Sequence, residues 1–161
     1  GTPPRPASSN AARPAVRHAD EVTVMPAPPD GRGPRCELRV GGRSTGRFVA
    51  GLNLEAAVEV DGRYLVLLTD GVDMEALLSV HLVEKDGRLV DTACIGRSRS
   101  TGRFRHLVLG PPRSVGFHFL GDGAWTVVVH PRPRLAWPLW PETPAVHRPF
   151  GWRRWFVVRM R

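Results

Sequence analysis

Between Phe48 and Val60 the apolar residues fall on every second position: Phe48, Ala50, Leu52, Leu54, Ala56, Val58 and Val60, with the polar Asn53, Glu55 and Glu59 between them. A period of two puts one set of side chains on a single face of an extended strand, one face buried and one wet. The stretch is long for one strand, so a bend is expected near Gly51. Asp61-Gly62 follows as a hairpin signal. Tyr64 to Leu68 is then continuously apolar, the pattern of a central strand buried on both faces.

The same grammar runs on. Leu38 and Val40 alternate with Glu37 and Arg39, and Leu78, Val80 and Leu82 alternate again before Asp86-Gly87, the best hairpin signal in the chain. Leu89 to Ile95 returns, and further strands are expected near Phe104–Leu109, Ser114–Leu120 and Ala124–His130. Asp73 to Leu78 reads as a single helical turn capped by Asp73. Sustained helical periodicity appears nowhere. The expectation is an all-β chain: an antiparallel β-sandwich, or a partly open barrel, of about seven to nine strands with at most one short helical turn.

Two segments depart from this pattern. Residues 1–34 hold eight prolines and only Val22, Val24 and Met25 suggest a strand, so they read as an N-terminal arm or linker. Residues 35–161 read as one domain, an ordinary size for a single core. Within it, residues 131–149 carry six prolines with Trp137 and Trp140. A connection that long either functions or covers the core. Residues 152–160 form a final aromatic, β-branched strand.

Charge narrows the classes of partner. The formal net charge is +8, and Lys85 is the only lysine among 23 basic residues. That bias fits GC-rich coding and a bacterial source. Arginine suits phosphate, carboxylate and stacked aromatic contacts, so an acidic protein or another anionic ligand is the expected partner, with nucleic acid as an alternative. No apolar run reaches the ~20 residues of a membrane span. The expected location is the bacterial cytoplasm, or outside it if a signal peptide was removed, since the first residue is Gly1. For Cys36 and Cys94, two free thiols are the simpler reading and a disulfide the alternative. No cofactor is expected.

One motif is repeated: Arg43-Ser44-Thr45-Gly46-Arg47-Phe48 recurs as Arg99-Ser100-Thr101-Gly102-Arg103-Phe104. As turns, both copies could cradle an anion with backbone amides, hydroxyls and two arginines each. A turn chemistry used twice explains them more cheaply. In the C-terminal third, Trp137, Trp140, Trp152 and Trp155 interleave with Arg134, Arg148, Arg153 and Arg154. Such pairs can stack on sugars or bases, or can seal an edge of the sandwich. Trp152 and Trp155 lie three apart and cannot share a face of a regular strand, so at least one is expected to be exposed or covered by another segment.

No metal is expected, because zinc spacings are absent and lone strand histidines are usually structural. The cluster Asp70, Asp73, Glu75 lacks EF-hand spacing. No nucleophile elbow, SxxK or HExxH occurs. The sequence therefore points to a non-enzymatic binding or protein-interaction module that presents an Arg/Trp-rich surface to an acidic protein, glycan or other anion. Its candidate ligand residues are Arg43, Arg47, Arg99, Arg103, Trp137, Trp140, Arg153 and Trp155. Sequence-independent nucleic-acid binding is one alternative. A second is an enzyme with a site under residues 131–149, using convergent groups such as His118 and His130.

Overall fold

The computed structural model describes residues 1, 16–70, 75–98, 102–121, 123–137 and 143–160. Its thirteen strands are β1 (Val16–His18), β2 (Val22–Pro26), β3 (Arg35–Val40), β4 (Arg43–Ala50), β5 (Asn53–Val60), β6 (Arg63–Thr69), β7 (Glu75–Val83), β8 (Leu89–Ser98), β9 (Arg105–Gly110), β10 (Ser114–His118), β11 (Ala124–Leu135), β12 (Val146–His147) and β13 (Arg153–Met160). They form three antiparallel sheets, ordered β1-β5-β6-β7-β8-β12, β13-β11-β10-β9 and β2-β3-β4. No sheet closes on itself, so the all-β expectation holds as a sandwich rather than a barrel.

The six-stranded sheet is the middle layer. Along β6, Leu65 and Leu67 join one buried cluster with Val58, Val80, Ile95 and, from the four-stranded sheet, Phe117, Trp125, Val127 and Phe156. Tyr64, Val66 and Leu68 point the other way and join Val22, Cys36, Leu38 and Val49 of the three-stranded sheet. The five residues of the continuous apolar run thus alternate between two cores, and all five are buried. Layers packed on both faces of one sheet explain why this strand alone lost its polar alternation.

The count exceeds seven to nine for local reasons. The segment read as an arm supplies β1 and β2, with Val16 paired to Val60 and Val22 to Val40. The long alternating stretch is divided at Gly51, where φ is +119° and a Cβ would lie 2.5 Å from that of Leu68. Only glycine fits there. Val146–His147 adds a short edge strand to β8. One expectation is overturned: Glu75 to Leu78 is extended and paired with β8 rather than helical, with Leu78 opposite Ile95. Extension places Leu78, Val80 and Leu82 together in the core, a gain that outweighs one capped turn. Asp73 lies outside the described residues.

Asp61 and Gly62, with φ of 50° and 78°, form the expected two-residue turn between β5 and β6, the left-handed geometry that hairpins favour. Cys36 and Cys94 are both free thiols and sit on different sheets. Burial pushes each up to about 11, which keeps them protonated and unreactive.

Polar contacts tie the layers together. His81 is buried; its Nε2 donates to Ala50 O of the three-stranded sheet at 3.0 Å, and its Nδ1 accepts from the Thr92 hydroxyl at 2.7 Å. Burial pulls its pKa below the ordinary 6.5. At the other margin Arg17 bridges Glu21 and Glu59, Lys85 reaches Glu59, and the Tyr64 hydroxyl donates to Glu21. The hydrogen bond from Arg17 holds the Glu21 carboxyl down to about 2, and Lys85 above all lowers that of Glu59.

These groups set how acid acts on the fold. His81 binds its proton more readily unfolded, so stability is full above about pH 6.5 and falls as pH drops below it. Glu21 and Glu59 contribute above about pH 4.5, and Glu21 loses its share as pH falls toward 2. Urea midpoints measured from pH 8 to 2 should fall in these two windows. His81→Phe should flatten the first and Glu21→Gln the second. An unchanged profile in either variant would remove its group from the account.

Candidate functional site

β11 outruns its own sheet. Its pairing with β10 ends at Val128 opposite Ser114, yet it continues to Leu135. Beyond Val129 its only strand partner among the described residues is β13. Six residues of β11, Val129 to Arg134, stand opposite only three of β13, Phe156 to Arg154, so the ribbon bulges before pairing resumes at Arg134 with Arg154 and Leu135 with Arg153. Ala136 N–H then donates to Trp152 O at 2.8 Å. Proline at positions 131 and 133 suits a stretch with no strand paired on one side among the described residues.

The base of this ribbon is clamped. Arg148 Nη1 lies 3.0 Å from Asp91 Oδ2, with both side chains nearly excluded from solvent. Asp91 Oδ2 also accepts from Trp155 N–H at 2.8 Å, and its Oδ1 accepts from Thr92 N–H. Arg148 donates through Nη2 to Phe156 O and stacks 4.2 Å above the Phe156 ring. One ion pair therefore joins β8 of the middle sheet to β13 and to the segment entering it. Trp155 is half-buried under the Arg63 guanidinium, 4.4 Å from its ring centre.

At the tip the apolar side chains have nowhere to hide. Leu135 is 84% exposed, Phe150 74%, Trp137 57% and Trp152 52%. Trp137 and Trp152 meet edge to face with centroids 5.4 Å apart, and Phe150 meets Trp152 the same way at 6.2 Å. Such pairs prefer this geometry. Arg132, Arg134 and Arg153 are exposed beside them, and none is paired with a carboxylate among the described residues. Residues 123–161 hold seven arginines and one acidic residue, Glu142. The tip is an apolar cluster set among arginines that have no carboxylate partner among the described residues.

The residues expected from sequence are distributed differently. Trp137 and Arg153 come together at this tip, while Trp155 serves the base. The first hexapeptide is not a loop: Arg43 to Phe48 lies inside β4, and the turn before it is Gly41-Gly42. Thr45 Oγ1 donates to Leu38 O at 2.6 Å, and Ser44 Oγ donates to Glu37 at 2.8 Å, so both hydroxyls are used within the sheet. Arg47 Nε donates to Gly87 O at 3.0 Å, tying β4 to the β7–β8 hairpin. Arg43 remains exposed. Arg103 is exposed just before β9, in the sheet on the far side of the middle layer from β4. Arg99 and Trp140 lie outside the described residues.

Leu135, Phe150, Trp152, Arg132 and Arg134 were not among the expected ligand residues. The three-residue spacing of Trp152 and Trp155 carried a signal, since it required that the two face apart. Nothing in the sequence showed that β11 outruns β10. His118 and His130 stand at opposite ends of the β10–β11 pair, roughly 20 Å apart at ~3.3 Å per residue. His118 instead meets His106 edge to face at 5.2 Å. Among the described residues no group of three or more His, Cys, Asp or Glu side chains is placed to hold a metal. A cavity of about 310 Å³ lies against His18, Asp20 and Glu55, and another of about 370 Å³ against Arg32, Arg35 and Phe48. Neither involves residues 131–149. No protein-family model, curated protein or solved structure matches the chain.

The clamp generates a prediction. Arg148→Met keeps the stem but leaves Asp91 buried without its cation, and should cost about 3–5 kcal/mol in urea unfolding. Arg148→Lys should recover little, because a single ammonium cannot serve Asp91, Thr92 O and Phe156 O together. A loss under about 1 kcal/mol for Arg148→Met would show that the pair does not hold the ribbon.

Proposed function

We propose that this chain is a binding module whose working surface is the ribbon tip, and that its ligand is an anionic macromolecular surface. The observation that carries the reading is the ring cluster of Trp137, Phe150 and Trp152, exposed with Leu135 on the same ribbon end and with three arginines that have no carboxylate partner among the described residues. Contiguous exposed apolar side chains rimmed by polar groups mark interaction sites. Trp and Arg are the residue types that most often carry binding energy. The core is filled without them, so folding does not explain their presence. Arginine at the rim selects for negative charge and speeds encounter, while the rings supply contact area.

A heparin column tests the location of the surface. The protein should be retained and elute with salt. Arg132→Gln/Arg134→Gln/Arg153→Gln should elute much earlier, with the slope of log K against log[salt] reduced by about one per arginine lost. Arg43→Gln/Arg103→Gln/Arg159→Gln removes the same charge from exposed sites elsewhere and should elute close to the unmodified chain. Trp137→Ala/Phe150→Ala/Trp152→Ala should weaken retention without changing the slope. Equal elution of the two arginine triples would refute the tip as the site.

A further inference from the structure

We propose that the anionic surface is a lipid bilayer, with the ribbon tip entering the headgroup region as a peripheral anchor. This rests on the tip being the binding surface and names what it binds. Three features select a bilayer over a protein or a nucleic acid.

The first is shape and size. The apolar cluster sits at the end of the β11–β13 ribbon, beyond where β11 pairs with β10. It offers four apolar side chains and three arginines. A stable protein interface of ordinary size engages ~20–30 residues a side. A bilayer demands no matching contour, so a small patch can use all of its apolar area at once.

The second is side-chain chemistry. Trp137 and Trp152 combine a large apolar body with an N–H donor, the composition that concentrates at membrane–water boundaries. Leu135 and Phe150 are the most exposed of the four and fully apolar. They suit the acyl boundary, which interfacial segments reach by sinking ~5–10 Å. Base stacking would need ring faces presented in a row. These rings are turned 82° and 84° from one another, each closing an edge against its neighbour's face.

The third is backbone and charge. Entry into a bilayer penalises unpaired peptide groups. At the tip Leu135 pairs with Arg153, and Ala136 N–H is taken by Trp152 O. Arg132, Arg134 and Arg153 then stand at headgroup level, where each basic residue near an anionic surface strengthens partitioning roughly fivefold. Long arginine stems can reach back to phosphate as the rings sink.

Vesicle co-sedimentation of the full chain tests this. It should bind phosphatidylcholine vesicles containing 30 mol% phosphatidylglycerol, and bind pure phosphatidylcholine at least tenfold more weakly (about 30 mol% being a strongly anionic surface). Leu135→Ser/Phe150→Ser/Trp152→Ser should lose at least tenfold. Arg132→Gln/Arg134→Gln/Arg153→Gln should lose on the order of a hundredfold, three fivefold steps. All substituted side chains are exposed, and unchanged thermal unfolding will verify that the variants fold. Brominated acyl chains should quench tryptophan emission, and Trp137→Phe/Trp152→Phe should abolish most of that quenching. No binding to the anionic vesicles, or equal binding by the serine triple, overturns the bilayer. If heparin retention still depends on the tip in that case, the binding-surface reading stands and the lipid assignment alone falls. If the heparin test fails too, both fall.

Discussion

Tyr64 to Leu68 has no side from which to meet water, and the architecture follows from that. A strand whose residues are apolar in both directions is stable only if each face of its sheet is covered. The four-stranded sheet covers one face and the three-stranded sheet the other. Each cover then inherits the alternation seen in its strands, one face inward and one wet. The N-terminal residues 16–26 are drawn into the fold by the same demand, since Val16 and Val22 each fill part of a different core.

Covering sheets must be held as well as packed, and the two are held differently. His81 reaches across to Ala50 with a neutral imidazole, a contact that acid weakens. Asp91 and Arg148 join the middle sheet to β13 with a buried ion pair, whose hydrogen bonds also fix Trp155 and Phe156. A buried pair of this kind adds little net stability, yet it specifies one arrangement strongly, because any other leaves a charge unmet. Here the arrangement it specifies is the base of the ribbon. The position of the tip depends on Asp91, which belongs to a strand far from it in sequence.

How much of this the sequence disclosed depends on how local the determinant was. The alternation at 54–60, the Asp61-Gly62 turn and the doubly buried β6 are local patterns, and each was legible; across the bend at Gly51 the phase reverses, so that Val49 enters the core while Phe48 and Ala50 are exposed, against the single parity read from the sequence. The bend at Gly51 was legible for the same reason, though its cause, contact with Leu68, was not. Asp73 to Leu78 misled because a cap signal is local, while the pairing of Leu78 with Ile95 is not. The repeated hexapeptide misled similarly: its composition suits a turn, but Thr45 and Arg47 bond to Leu38 and Gly87, partners that composition cannot reveal. Trp137 and Arg153, both named from the sequence, do lie at the same end of the ribbon. Their grouping with Leu135, Phe150 and Trp152 required knowing where β10 stops.

The exposed tip also bears on how the molecule avoids aggregating. An apolar cluster at the end of a two-stranded ribbon, next to the edge strand β13, invites pairing with another copy. Arginine meets that hazard in two places. Arg153 and Arg159 stand on the edge strand itself, and Arg132 and Arg134 flank the cluster. Two such tips brought together would face like charge with no acid among the described residues nearby to relieve it, whereas an anionic surface removes the same repulsion. On the proposed reading, the charge that keeps copies apart is also the charge that selects the ligand. On that reading, removing arginine from the tip trades binding for self-association, and removing the rings gives up both.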